Sequence, residues 1–121
     1  VTRPEITGKR SLEFSSWIKK RLPDSSTGYM VGNLDWIFWN YKTRRLILLE
    51  EKTHGAQVAP WFSRMMREVF APALQTFCDK EGIEFKGFHV ITFQNSSPSD
   101  GTIRIDGTEI SEEDLIVFLS G

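Results

Sequence analysis

The chain has 121 residues, 40% hydrophobic and 26% charged, with four Trp, one Cys and a formal net charge of −1. That composition fits one globular domain with a single core and excludes a disordered chain, a disulfide framework and a cysteine-rich zinc site. It also excludes a helical membrane span, since no apolar run approaches about 18 residues, while a near-neutral total leaves nucleic acid open, which needs only a basic patch.

Residues 1–9, broken by Pro4 and Gly8, read as a mobile lead-in. Phe14, Trp17, Ile18 and Leu22 recur at three- and four-residue spacing, which predicts a helix capped by Ser11 and stopped by Pro23. Glu13 falls on the margin of its apolar face, and as a first-turn acid it also suits the helix dipole. Lys19, Lys20 and Arg21 make a basic helix end, either simply solvated or touching phosphate. Residues 24–28 carry turn chemistry, and Tyr29, Met30 and Val31 read as a short strand leading through a bend at Gly32 and Asn33.

Residues 32–52 hold two apolar runs around the polar tetrapeptide Lys42-Thr43-Arg44-Arg45, which predicts a β-hairpin. With Thr43 and Arg44 as a two-residue turn, Lys42 faces Arg45, Ile37 faces Glu50 and Asp35 faces Lys52. Alternation then gathers Asp35, Glu50 and Lys52 on one face with Ile37, Trp39, Leu46 and Leu48, and turns the Glu51 side chain to the other with Trp36, Phe38, Ile47 and Leu49. Two apolar faces imply a sheet sandwiched between helices. Carboxylates and an ammonium at the end of such a sheet suit a hard divalent cation with a phosphate, although a Lys between acids also forms a plain strand-end salt bridge.

His54 is expected to be a polar loop histidine, with a catalytic base or ligand as the alternative, and Pro60 to open a long helix. Trp61, Phe62, Met65, Met66, Val69, Phe70, Ala73, Leu74, Phe77 and Cys78 form its apolar stripe, a core helix or part of a dimer interface. Pro72 should kink or split that helix near Phe70, Gly82 should end it, and Cys78 is a small buried hydrophobe. Residues 85–93 follow as a strand with His89 structural, residues 95–101 as a loop, and residues 102–106 and 108–110 as strands about an Asp106-Gly107 hairpin turn. Ser111 and Asp114 form a capping box for a last helix with Leu115, Ile116, Phe118 and Leu119 as its apolar side. The whole is an α/β fold, a mixed sheet between helices.

An Asp on one strand and Glu-x-Lys closing the next apolar strand resembles the active-site core of the PD-(D/E)XK nuclease superfamily, whose members include restriction enzymes and Holliday-junction resolvases. Asp35 matches the first acid, Glu50 the second and Lys52 the lysine, while Leu34 stands where the family name has Pro. The likeness in element order runs from Ser11 to about Phe93, and only the three hairpin residues are specific. It implies a restriction-endonuclease-like core and Mg²⁺-dependent cleavage of DNA, with Mn²⁺ able to substitute. It also implies that Asp35, Glu50, the Glu51 backbone carbonyl and Glu13 hold metal, that Lys52 positions water or stabilises phosphoryl charge, and that Gln57 lies near the site on the next helix.

Lys20, Arg64 and Arg67 are candidates to meet the DNA backbone, duplex or branched; the basic hairpin turn stands roughly 20 Å from the acids and is a weaker one. A branched substrate favours a homodimer, and no membrane partner is expected. The rival readings are a catalytically inactive nuclease-like DNA-binding or assembly module, and a small α/β interaction module with a surface ion-pair cluster. A soluble intracellular protein is expected, cytoplasmic or nucleoid-associated, with viral or phage origin open, and Val1 in place of an initiator Met suggests a processed or excised fragment.

Overall fold

A computed structural model of the chain describes residues 12–120, so the lead-in and the Ser11 cap lie outside the described residues. The chain divides into two compact units, Val1–Gly32 and Asn33–Gly121.

In the first unit, helix α1 spans Leu12–Arg21, with its basic last turn as expected. The Phe14 and Trp17 rings stack with centroids 5.9 Å apart. A 3₁₀ turn at Ser25–Thr27 follows, begun by Asp24, whose carboxylate accepts the Ser26 N–H at 3.0 Å. No strand forms at Tyr29, Met30 and Val31, correcting the expectation. All three are exposed, and among the described residues no strand supplies the ladder that β-propensity alone cannot replace.

The second unit is a five-stranded mixed sheet in the order β1-β2-β3-β4-β5: β1 Trp36–Asn40, β2 Arg45–Thr53, β3 Glu84–Phe93, β4 Ile103–Ile105 and β5 Thr108–Ile110. Strands β2 and β3 run parallel and every other pairing is antiparallel. The β2–β3 crossover is the long helix, divided into α2 Pro60–Met65, a π turn Met66–Phe70 and α3 Ala71–Glu81. Pro72 explains the division: it has no N–H to donate, and the ladder resets through the wider turn, in which the Ala71 N–H reaches the Met66 carbonyl.

Helices cover both faces. On one, Phe62, Met66 and Leu74 pack on Leu48 and Phe88; on the other, Leu115 and Leu119 of α4 (Glu112–Ser120) pack on Leu49, Ile91, Phe93 and Ile103. Each fully buried aliphatic side chain contributes about 1.5–3 kcal/mol. The Ser111 cap forms as expected, its Oγ accepting the Asp114 N–H at 3.1 Å. The Ile116 side chain is exposed, however, so α4 has a narrower apolar side than its sequence suggests. Asp106 and Gly107 both take positive φ, 50° and 85°, as the expected hairpin turn requires.

The first hairpin departs from its expected register by two residues: Asn40 pairs with Arg45 and Ile37 with Leu48. A two-residue Thr43-Arg44 turn needs positive φ at both positions, which a β-branched Thr resists. Instead the Asn40 carboxamide accepts the N–H groups of Lys42 and Thr43, at 3.0 and 3.2 Å, and only Arg44 is left-handed, with φ 57°. A slip of two preserves parity, so every side chain in the paired strands keeps its expected face, while Tyr41 falls in the turn. The burial is less even than expected. Ile47, Leu48 and Leu49 are buried, whereas Trp36, Ile37 and Trp39 on edge strand β1 are exposed beyond the helix cover.

Gly82 ends α3 in the left-handed conformation, φ 68°, with open space where a Cβ would stand. Gly82→Ala should therefore lower stability by about 1 kcal/mol through backbone strain alone, read as a shift of the urea midpoint with unchanged slope.

Candidate active site

The site lies where the β1–β2 ladder runs out. Its last main-chain pair joins Trp36 and Leu49, and beyond it side chains replace main-chain partners. The Asp35 N–H donates to Glu50 Oε1 at 3.2 Å, and the Glu51 N–H donates to Asp35 Oδ2 at 2.9 Å. These two bonds draw the Asp35 and Glu50 carboxylates to one strand end. Lys52, two residues on and on the face of Glu50, brings Nζ to 3.8 Å from Glu50 Oε2. Asp35 is thus level with Glu50 and Glu51 instead of opposite Lys52, and the expected trio still converges.

Among the described residues Glu50 is the buried charged one, with 7% of its surface exposed. It stands on the face of Leu48, beside Val90 on β3. Burial pushes its carboxyl above the usual carboxylate range and the Asp35 charge pushes it further, while the Asp35 N–H and Lys52 pull it back in part. Two carboxylates and one ammonium leave a negative excess in a half-dry place, which a bound cation would offset.

Among the described residues no group of three or more His, Cys, Asp and Glu side chains is arranged to hold a metal. The protein thus offers the carboxylates of Asp35 and Glu50. That donor set fits Mg²⁺, which keeps several waters and shares its remaining positions with substrate phosphate, and does not fit a closed zinc site.

The Glu51 side chain is turned to the opposite face as expected, where its Oε1 accepts the Trp36 indole N–H at 2.9 Å. Sequence reasoning missed this bond, although Trp36 and Glu51 share a face in either register. Glu13 is exposed on α1 and Lys20 is exposed at that helix's basic end, both in the first unit. Gln57 is exposed in the segment before α2, not on the helix where it was expected. Arg64 is exposed on α2. Arg67 is engaged elsewhere: its guanidinium lies over the Phe88 ring at 5.2 Å and donates to Asp106 Oδ1 at 3.3 Å. His54 occupies a left-handed turn position, φ 54°, and is exposed.

His89 has one local partner and one distant in sequence. Its Nδ1 lies 2.6 Å from Asp106 Oδ2 and its Nε2 lies 2.6 Å from the Lys86 carbonyl. The Asp106-Gly107 pair signals a turn in the sequence, but nothing there shows that the Asp carboxylate reaches back to β3.

No family model matches the chain, and no solved structure matches it significantly. The chain is similar to an uncharacterized protein of Archaeoglobus fulgidus, 28% identical over 105 residues, covering 74% of this chain and 68% of the relative.

Proposed function

We propose that this chain is a metal-dependent nuclease of the PD-(D/E)XK type, hydrolysing phosphodiester bonds in DNA. The observation that carries the reading is the convergence of Asp35, buried Glu50 and Lys52 at one end of the β1–β2 hairpin, on one face of a sheet between helices. A surface ion-pair cluster would not need a carboxylate as buried as Glu50, because burying a charge is costly unless it is fully paired.

Asp35 and Glu50, with the Glu51 backbone carbonyl, would hold Mg²⁺ or Mn²⁺; the reading does not depend on Glu13. Bound there, the ion supplies Lewis-acid polarisation of the phosphate and a lowered pKa for attacking water. The chain's own groups do the rest. The Asp35 N–H orients the Glu50 carboxylate, and the Glu51 N–H orients that of Asp35, so neither acid must reorganise when substrate arrives. Lys52 is close enough to Glu50 to be held and far enough, at 3.8 Å, to turn a proton toward a phosphoryl oxygen or the incoming water. A homodimer with two such sites would suit a branched substrate.

The test is cleavage of labelled linear duplex, single strand, flap and four-way junction, in Mg²⁺, Mn²⁺ or EDTA, beside Asp35→Ala. Metal-dependent cutting lost in the variant is expected. Binding without cutting under every condition would make the chain an inactive nuclease-like module instead.

A further inference from the structure

Ile37 and Trp39 on β1 share the sheet face of Glu50 and Lys52, since they pair with Leu48 and Leu46 and the faces alternate. Trp39 is 46% and Ile37 66% exposed, and Tyr41, opening the turn, is 74% exposed. Ile37 and Trp39 make an apolar row that runs from the candidate site along the sheet edge, about 13 Å from Glu50 to the level of Trp39, and Tyr41 adds an exposed aromatic ring in the turn beyond it. Cations bracket it. Lys52 stands at the site end and Lys42 at the turn end. In that turn Arg45 is paired with Glu84 at 2.8 Å and Arg44 donates to the Glu81 carbonyl, whereas among the described residues no carboxylate pairs with the ammonium of Lys42. The Asn40 carboxamide cap orders the turn that carries Tyr41 and Lys42.

We propose that this row is a stacking platform for the unpaired bases of a single-stranded DNA segment, which leads its phosphates into the Asp35–Glu50–Lys52 site; the proposal rests on the nuclease reading and specifies its substrate. Single-strand binding surfaces combine aromatic faces, on which any base stacks, with cations that follow the backbone. A duplex hides its base faces and gives Trp39 nothing to stack on. A second copy of the chain fits less well. The exposed parts of the three side chains offer on the order of 400 Å², well short of the roughly 800 Å² per partner in a stable protein interface.

The experiment measures binding of the full chain in EDTA, by fluorescence anisotropy, to a labelled oligothymidylate and to a duplex of equal length. Tighter binding of the single strand is expected. Trp39→Ala should weaken it about ten-fold or more, the worth of one stacked base, Trp39→Phe should restore most of the loss, and duplex binding should barely move. Tyr41→Ala, in the exposed turn, should show the same bias and guards against misfolding of the strand variant. Equal losses on both ligands, or none, would overturn the proposal. So would a dimer, seen in sedimentation, that Trp39→Ala dissolves without altering single-strand binding. Because EDTA prevents cutting, selective binding by a chain that never cleaves leaves the platform standing and sinks the nuclease. Cleavage that is indifferent to Trp39, with no selective binding, does the reverse.

Discussion

Glu50→Gln is expected to yield a chain that no longer cleaves DNA in Mg²⁺ or Mn²⁺ yet melts at a higher temperature than the parent in EDTA. The opposite signs have one cause. Burial, then the neighbouring Asp35 charge, raise the Glu50 carboxyl above its ordinary range. For an acid with a raised folded pKa, the associated stability is complete below the unfolded value and is lost as pH rises through the folded one. Above the ordinary carboxylate range the folded chain is therefore penalised relative to the unfolded one, in which this acid ionises freely. Gln keeps an oxygen to accept the Asp35 N–H and removes the charge, gaining about 0.5–2 kcal/mol, as is common when a strained site is relieved. Each kcal/mol shifts the melting point by about 3–5 °C in a domain of this size. The difference should shrink as pH falls toward 4. Mg²⁺ at a hundred times its dissociation constant should stabilise the parent by about 2.7 kcal/mol and the variant hardly at all. Lys52→Ala separates binding from chemistry, keeping the metal-induced shift while losing about 10²–10³ in rate. If Glu50→Gln destabilises the chain in EDTA and responds to Mg²⁺ like the parent, the trio is only an ion-pair cluster.

Much of the candidate site was legible because period-two alternation survives an error of two residues. The turn was misread at Thr43 and Arg44, and the register with it, yet Asp35, Glu50 and Lys52 stayed together because only an odd slip changes faces. Pro72 and Gly82 announced the helix break and helix end through one missing N–H and one left-handed φ, both local properties. What stayed hidden depends on partners distant in sequence. Tyr29, Met30 and Val31 have strand composition and, among the described residues, no strand that pairs with them. The aromatic run of β1 looked like core and lies on an exposed edge, because hydrophobicity does not say how far the helices extend over a sheet. Ile116 likewise looked like core on a helix whose cap was plain.

The link from Asp106 to His89 was equally invisible, and it underlies the largest stability effect expected. Asp106 should act as a clasp at the open edge of β3, where β4 is too short to cover the strand. Its Oδ1 accepts the Val90 N–H at 3.0 Å and the Arg67 guanidinium at 3.3 Å, and its Oδ2 lies 2.6 Å from His89 Nδ1. One carboxylate thus ties the sheet edge to Arg67 of the π turn and to His89, whose ring meets Phe118 of α4 edge-on at 5.2 Å. Partial burial works against this carboxylate, but the Val90 N–H, His89 and Arg67 together hold it below the usual range. For an acid with a lowered folded pKa, the stability is present above the unfolded value and lost as pH falls through the folded one. Asp106→Ala should cost about 3 kcal/mol at pH 7, counting three hydrogen bonds to one ionised carboxylate and discounting for a side chain 36% exposed. Asp106→Asn, which keeps an acceptor for Val90 and tolerates the left-handed φ of 50°, should cost about half of that. Urea unfolding at pH 7 and again below pH 4 tests both. The gap between parent and Asp106→Ala should narrow in acid, where the parent's carboxylate is progressively protonated. A gap under about 1 kcal/mol at neutral pH, or one that acid leaves unchanged, would reduce the clasp to an ordinary surface ion pair.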